Sequence, residues 1–198
     1  MKDMTNERIF GHVLIKDKTT GEILIDKFNA INFENFSVSI AQTMSNRPYG
    51  FIQEMCFGNG AATVSGTGTI TYLSPNVTGQ NAALYNQTYF KTINDQSSLD
   101  LDPTNNFLTV NHTVGTTYAD IEITCNLGFS EPTNQDAFDM NTSSSSDYTF
   151  NELGLRAFSV SGVPNTGRLL THVIFSPVLK SANRELEVVY TIRIQTSM

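Results

Sequence analysis

The sequence predicts a mainly β protein that folds as a single β-sandwich over residues 1–198, with one short helix near the N-terminus. Apolar and polar residues alternate in several runs, and turn residues separate these runs about every ten residues. Charged residues make up only 16% of the chain, and Thr, Asn and Ser fill many polar positions. This composition is typical of strands, turns and surfaces that contact other proteins. Both a jelly-roll-like and an immunoglobulin-like sandwich fit the pattern.

The last strand has the clearest pattern. Apolar residues there alternate with polar ones: Leu186, Val188, Tyr190, Ile192 and Ile194. Because successive side chains of a strand point to opposite faces, these apolar residues should lie in the core. Glu187 and Arg193, on the other face, should lie outside it.

A single helix is expected at residues 33–45. Its apolar positions recur at spacings of three and four residues: Phe33, Phe36, Ile40 and Met44. Asn32 can cap the N-terminus of this helix. Pro48 prevents the helix from continuing.

The remaining segments predict further strands, for a total of roughly eight to ten. They lie at residues 9–16, 22–28, 51–57, 68–73, 84–93, 107–114, 118–127, 148–160 and 168–175. Ile23 and Ile25 should share a face of the second strand. Residues 118–127 should have one solvated face, and residues 168–175, apolar on both faces, should form a central strand.

The charge balance bears on possible partners. A formal net charge of −7 disfavours contact with nucleic acid and with anionic membranes, and Lys and Arg are scattered. No secretory signal follows Met1, and no apolar run is long enough to span a membrane. We therefore expect a protein made in the cytosol and neither secreted nor embedded in a membrane. Cys56 and Cys125 should be reduced, buried residues rather than a disulfide.

A glycine-rich stretch invites comparison with phosphate-binding loops: Gly58, Gly60, Gly66 and Gly68. The stretch contains neither G-x-x-x-x-G-K-[ST] nor G-x-G-x-x-G, and no helix pattern follows it. We expect a loop whose glycines adopt positive φ angles.

The histidines do not predict a metal or catalytic site. His12, His112 and His172 each lie in a predicted strand, and no spacing among them matches a zinc motif. We expect ordinary strand residues with satisfied ring nitrogens. Composition leaves a Ser-His-Asp triad open, but no G-x-S-x-G elbow is present.

Two groups of acidic residues are candidates for a site. The first could ligate a hard cation but does not match a calcium-binding loop, so a solvated acidic loop is expected: Asp95, Asp100 and Asp102, with Asn105. The second could supply carboxylates for glycoside chemistry, but strand alternation puts them on wet faces: Asp120, Glu122, Glu152, Glu185 and Glu187. We therefore assign no catalytic, cofactor-binding or metal-binding residue.

Two stretches, residues 54–95 and 150–194, resemble virion structural proteins of tailed bacteriophages. The likeness is to marine and cyanobacterial T4-like myoviruses and to the attachment domain of tail-fibre proteins. The order of short motifs carries the resemblance. The matching positions are Gly58-Asn59-Gly60, Pro75, Leu84, Asn86, Tyr89, Glu152-Leu153-Gly154-Leu155, Leu169-Leu170 and Pro177.

The resemblance implies a non-enzymatic virion subunit that binds other virion proteins and is oligomeric in the particle. It implies binding surfaces rather than a cofactor or an active site. Long fibrous C-terminal repeats are lacking, which favours a compact capsid decoration, neck or baseplate-associated subunit. A carbohydrate- or receptor-binding sandwich is the alternative, and a hydrolase has the weakest support. The docking elements are expected at residues 1–8, 58–79 and 130–147.

The sequence predicts that folding needs no metal ion. A metal ion that binds only the native state raises the thermal unfolding midpoint, and EDTA would remove that stabilisation. Because we expect no such ion, EDTA should leave the midpoint unchanged. Differential scanning calorimetry with and without EDTA checks this. A fall of many degrees would instead identify the acidic loop near Asp100 as a structural cation site.

Overall fold

The computed structural model describes residues 7–94, 106–129, 131–132 and 148–196. In chain order its elements are β1 (Glu7–Asp17), β2 (Ile23–Phe28), β3 (Ala30–Ile31), α1 (Phe33–Met44), β4 (Ile52–Gly58), β5 (Ala62–Val64), β6 (Ile70–Tyr72), β7 (Gln87–Thr92), β8 (Asn106–Asn111), β9 (Tyr118–Leu127), β10 (Tyr148–Ala157), β11 (Thr171–Lys180) and β12 (Leu186–Thr196).

Two five-stranded antiparallel sheets form a sandwich-like fold, so the predicted mainly β class is confirmed. The first, here called the β12 sheet, has the order β2-β1-β12-β9-β8. The second, the β10 sheet, has the order β3-β11-β10-β4-β7. Strands β5 and β6 form a separate hairpin, and no other described strand pairs with them.

The two sheets share one apolar core, as expected when each sheet buries one face against the other. Side chains from both sheets belong to it, among them Val13, Ile15, Ile123, Leu155, Val173 and Tyr190. The predicted alternation of β12 is confirmed. Leu186, Val188, Tyr190 and Ile192 are fully buried, whereas Glu187 and Arg193 lie outside the core.

The helix is confirmed, but its packed face differs from the prediction. The Asn32 side chain caps it by accepting a hydrogen bond from the Asn35 backbone N–H at 3.1 Å. Phe33 and Met44, expected on the apolar face, are exposed. The buried residues are Asn35, Phe36 and Ser39. The polar Asn35 can be buried because its side-chain amide donates a hydrogen bond to the Leu169 carbonyl oxygen.

Two predictions about strand faces were wrong. Ile25 is buried but Ile23 is exposed, because a bulge after Ile15 shifts the β1–β2 register between the two isoleucines. In β9 the face expected to be wet is buried at Thr124 and Asn126. There the Asn126 carbonyl oxygen accepts a hydrogen bond from Lys91 Nζ at 2.7 Å.

The predictions for strand β11 and for the two cysteines are confirmed. Residues 171–175 of β11 are buried on both faces, as expected of a central strand. Cys56 and Cys125 are free and buried, and burial raises the pKa of each thiol to about 12. Within the described ranges, no helix has the length and apolar character needed to cross a membrane.

The register of β12 gives a stability prediction. Ile192→Ala should lower the free energy of unfolding by roughly 2–5 kcal/mol, because it leaves a cavity in a close-packed core. Glu187→Ala should change it by less than about 1 kcal/mol, because the ion pair of Glu187 with Lys16 is part-exposed. Urea denaturation of both variants checks this. Equal losses would mean that the assigned faces of β12 are wrong.

Candidate functional site

A glutamate–histidine pair lies fully buried between adjacent strands of the β10 sheet. Glu152 on β10 and His172 on β11 each have side chains that are 0% exposed. The distance from His172 Nε2 to Glu152 Oε2 is 3.0 Å. Two titratable groups without solvent contact must satisfy each other or find further partners inside the protein.

The Glu152 carboxylate accepts four hydrogen bonds. Oε1 accepts from the backbone N–H of Gly60 at 3.0 Å and of Asn86 at 2.8 Å. Oε2 accepts from the backbone N–H of Tyr85 at 2.8 Å and from the His172 ring. A carboxylate has about four acceptor positions, so this one is saturated.

The second ring nitrogen of His172 defines its charge. The Asn76 backbone N–H donates to His172 Nδ1 at 2.8 Å, so Nδ1 carries a lone pair and no proton. The ring proton is therefore on Nε2, where it points to Glu152, and the imidazole is neutral. Both ring nitrogens and both carboxylate oxygens are thus engaged with the protein itself.

Opposing effects act on the pKa of Glu152. Burial disfavours the charged form and raises the pKa, but the His172 ring N–H and the three backbone N–H groups outweigh it. The net result is a pKa below the ordinary value, so Glu152 is an anion at neutral pH.

These contacts fix one long connection to the sandwich, residues 59–86, which we call the anchored loop. Besides Glu152 and His172, three buried asparagine side chains bind it. Asn151 Oδ1 accepts from the Ala61 N–H at 3.2 Å. The amide groups of Asn32 and Asn35, at the start of α1, donate to the carbonyl oxygens of residues 79 and 80 at 3.0 and 3.3 Å.

The predicted positive φ angles were wrong for Gly58 and Gly60, the first two glycines of the glycine-rich stretch. Glycine fits there because neighbouring atoms lie too close to leave room for a side chain. A Cβ at Gly58 would lie 2.5 Å from the Asn86 carbonyl oxygen and 2.6 Å from Glu152 Oε1. A Cβ at Gly60 would lie 2.6 Å from the Asn86 nitrogen. Only Gly68, in the tip of the hairpin, has the positive φ expected for this stretch, at +82°.

The β5–β6 hairpin projects from the anchored loop with both faces open to solvent. Val64 pairs with Ile70, and Ala62 pairs with Tyr72. These four residues share one face, since residues two apart in a strand point the same way. Val64, Ile70 and Tyr72 are 68%, 52% and 43% exposed.

A second buried carboxylate holds a neighbouring turn. Glu54 on β4 accepts the Asn165 backbone N–H with both oxygens, each at 3.0 Å. Burial raises the pKa of Glu54, and the Asn165 N–H and the charge of Arg156 offset only part of that effect. Asn165 has a positive φ of 64°, so the carboxylate helps to hold a sparsely populated backbone conformation.

The structure brings one of the five carboxylates that could serve glycoside chemistry into a buried site. Glu152, expected on a wet face, is fully buried, so that prediction was wrong. The other four are part-exposed: Asp120, Glu122, Glu185 and Glu187. A sequence signal for Glu152 existed, because it is the only charged residue from Phe150 to Leu155, in a strand that is buried on both faces.

The histidines and the acidic loop have separate outcomes. His12 lies in β1 beside Asp26, at 2.6 Å, and His172 lies in β11 with both nitrogens satisfied, as expected. His112 follows the end of β8 rather than lying in it, and its Nδ1 contacts the Tyr118 carbonyl oxygen at 2.9 Å.

Asp95, Asp100, Asp102 and Asn105 lie outside the described residues. Among those described, no three His, Cys, Asp or Glu residues form a group that could hold a metal.

Positions from two distant stretches of the chain, residues 54–95 and 150–194, meet at this site. Gly60 and Asn86 bind Glu152, and Gly154 lies where a Cβ would contact Leu84 and Leu169 within 3.3 Å. Comparison of the chain with protein-family models, with curated proteins and with solved structures gives no match.

Replacing Glu152 tests the anchoring role. Glu152→Gln should lower the free energy of unfolding by about 3–5 kcal/mol. The glutamine NH₂ group would replace one carboxylate oxygen, so the buried N–H groups that donate to that oxygen would lose their acceptor. Asp120→Asn, which alters a part-exposed ion pair with Arg193, should cost less than about 1 kcal/mol.

The loss should also depend on pH. Because the native pKa of Glu152 lies below its ordinary value of 4.5, its stabilisation is complete above that value and is lost as the pH falls through the native pKa. The difference in free energy of unfolding between wild type and Glu152→Gln should therefore be constant near neutral pH and should shrink in acid. Urea denaturation as a function of pH measures it, and a gap independent of pH would contradict an ionised Glu152.

Proposed function

We propose that the protein is a non-enzymatic structural subunit of a tailed-bacteriophage virion. In this proposal it binds other virion proteins as a capsid decoration, neck or tail- and baseplate-associated subunit. The observation that carries the proposal is the anchored loop, which presents an apolar hairpin face to solvent on a rigid base.

The hairpin suits a protein–protein contact. Val64, Ile70 and Tyr72 form a contiguous apolar face on two short strands that pair with no other strand of the described chain. An isolated two-stranded hairpin is marginally stable in water, and exposed apolar patches typically mark interaction sites. A neighbouring subunit that covers this face would bury apolar area and stabilise the hairpin.

The anchor beneath the hairpin supports the same role. Five buried polar side chains bind the backbone of the anchored loop: Asn32, Asn35, Asn151, Glu152 and His172. Holding a binding element in one conformation before association lowers the entropy lost on binding. The Glu152–His172 pair itself has no free acceptor or donor for a substrate, which favours a positioning role over a chemical one.

The resemblance adds the virion context. The motif positions that resemble tailed-phage virion proteins include the residues that build the anchor, namely Gly58, Gly60, Asn86, Glu152 and Gly154. A likeness that includes the anchor of a binding element agrees with a function in assembly.

A carbohydrate- or receptor-binding module is the second candidate. Phe28 and Tyr72, 74% and 43% exposed, line one shallow cleft together with Pro75. Exposed aromatic rings can offer an apolar face to a ligand while a Tyr hydroxyl remains hydrated. Binding to host surface glycans that is abolished by Tyr72→Ala would favour this candidate.

A matched pair of hairpin variants tests the proposal. Ile70→Asp places a charge on the apolar face, where burial without a partner is costly, and should reduce incorporation into particles at least about tenfold. Thr71→Asp places the same charge on the opposite face and should incorporate like wild type. Quantitative mass spectrometry of purified particles measures incorporation, and thermal unfolding confirms that both variants fold.

Equal incorporation of both variants would contradict docking through the hairpin. Copy number in wild-type particles then distinguishes the positions within the virion. A number that scales with the capsid lattice identifies a decoration protein, whereas a small number set by the tail symmetry identifies a neck or baseplate subunit. Absence from particles would contradict the proposed function itself.

A further inference from the structure

We propose that a polar cleft beside the anchored loop binds a carboxylate group presented by a peptide segment of a partner protein. This inference rests on the proposed function only in naming a protein as the partner. The cleft has a volume of about 560 Å³ and lies between residues 80–83 of the anchored loop and residues 156–168. Its walls contain Arg156, Arg168 and three hydroxyl side chains.

Arg168 supplies a cation that has no partner in the described part of the chain. Its side chain is only part-exposed, yet no hydrogen bond or ion pair joins it to a described residue. Its backbone is fixed, because the Arg168 carbonyl oxygen accepts the Ala157 N–H at 3.0 Å. A guanidinium held on a rigid backbone and left unpaired is prepared to accept an anion.

Arg156, by contrast, is already engaged and forms a wall of the cleft. Its Nη1 donates to the Gly167 carbonyl oxygen at 2.7 Å, and its Nε and Nη2 donate to Gln87 Oε1 at 3.3 and 3.1 Å. The buried Glu54 carboxyl group opposes its charge. The net positive charge available to a ligand in this cleft therefore comes from Arg168.

A cluster of three hydroxyl groups completes the wall. Ser159 Oγ contacts Ser161 Oγ at 2.8 Å and also contacts Thr166 Oγ1, and Ser161 Oγ lies 3.1 Å from Thr166 Oγ1. The Thr166 hydroxyl donates to the Val163 carbonyl oxygen at 2.8 Å. Because the Thr166 proton is used in this bond, only the two serine hydroxyl protons remain for the three oxygen–oxygen contacts. The exposed Ser161 hydroxyl can turn to a ligand while Ser159 still donates to Thr166.

The composition of the cleft selects a carboxylate on a peptide. Guanidinium groups bind carboxylates in a planar, bidentate geometry. Gln80 and Asn81, which also line the cleft, are exposed. One unpaired cation matches a single negative charge better than a phosphate dianion. None of the lining residues is aromatic, so the cleft offers no ring face for a sugar or a base to stack on.

Continuity with the hairpin argues for a protein as the occupant. Residues 80–83 belong to the same anchored loop as the β5–β6 hairpin, so one rigid segment would carry an apolar contact and a charged one. Protein interfaces combine a buried apolar centre with a polar rim in this way. Arg is enriched in such interfaces because its planar group pairs with carboxylates there.

A titration with short peptides tests the inference. The probes are acetyl-Gly-Glu-Gly-amide and its uncharged twin acetyl-Gly-Gln-Gly-amide, added at low salt to the ¹⁵N-labelled full chain. The acidic peptide should shift the amide signals of residues 80–83 and 159–168 with saturable, millimolar affinity, and the twin should not. Arg168→Gln should weaken binding at least about tenfold, since a charge-assisted hydrogen bond is lost.

Two further variants keep the test decisive. Arg8→Gln removes another exposed arginine without a described partner, on β1, and should bind the acidic peptide like wild type. Arg168→Lys keeps the charge but not the planar geometry and should bind with intermediate affinity. Equal binding by wild type and Arg168→Gln, or equal binding of the two peptides, would overturn the inference.

Further outcomes separate this inference from the proposed function. If glucuronate saturates the cleft and the acidic peptide does not, the occupant is an acidic saccharide and the peptide assignment fails. If no carboxylate binds while Ile70→Asp still blocks incorporation, the cleft inference alone fails. If Ile70→Asp incorporates normally while the acidic peptide binds through Arg168, docking through the hairpin fails and the cleft stands.

Discussion

The buried carboxylate of Glu152 is the constraint on which the arrangement of this surface depends. An ionised group without solvent is costly unless its acceptor positions are filled, and here one ring N–H and three backbone N–H groups fill them. Of the three backbone donors, Gly60 lies near the start of the anchored loop, and Tyr85 and Asn86 lie at its end. The carboxylate therefore brings both ends of the anchored loop to one point on the β10 sheet.

A partly satisfied network of this kind would be worse than an apolar core, so the contacts are mutually dependent. Loss of the His172 contact would leave a carboxylate oxygen short of a donor, and a side chain at Gly58 would collide with it. The network therefore favours one conformation of residues 59–86 over alternatives. The same logic recurs at Glu54, whose two oxygens hold the Asn165 N–H and with it the turn that forms the far wall of the cleft.

The two proposed binding elements stand on backbone that is fixed from inside the sandwich. The hairpin has exposed apolar side chains, and the cleft contains a guanidinium group with no partner among the described residues. Both adjoin backbone held by buried carboxylates. Such a division suits assembly among many subunits. In the proposed assembly, apolar contact would provide most of the binding free energy, and a charged contact would add selectivity for one orientation of the partner.

The sequence by itself determined the last strand and the helix, because alternation in residues 186–194 and helical spacing in residues 33–44 are local patterns that core packing preserves. Of the four glycines expected at positive φ, it was right only at Gly68. Only the tertiary structure decided that Glu152 is buried, that Ile23 faces solvent and that Gly58 is required by close approach. The reason is physical: these outcomes depend on donors and neighbours from distant strands, and a bulge or a folded-back loop supplies them without a local sequence period.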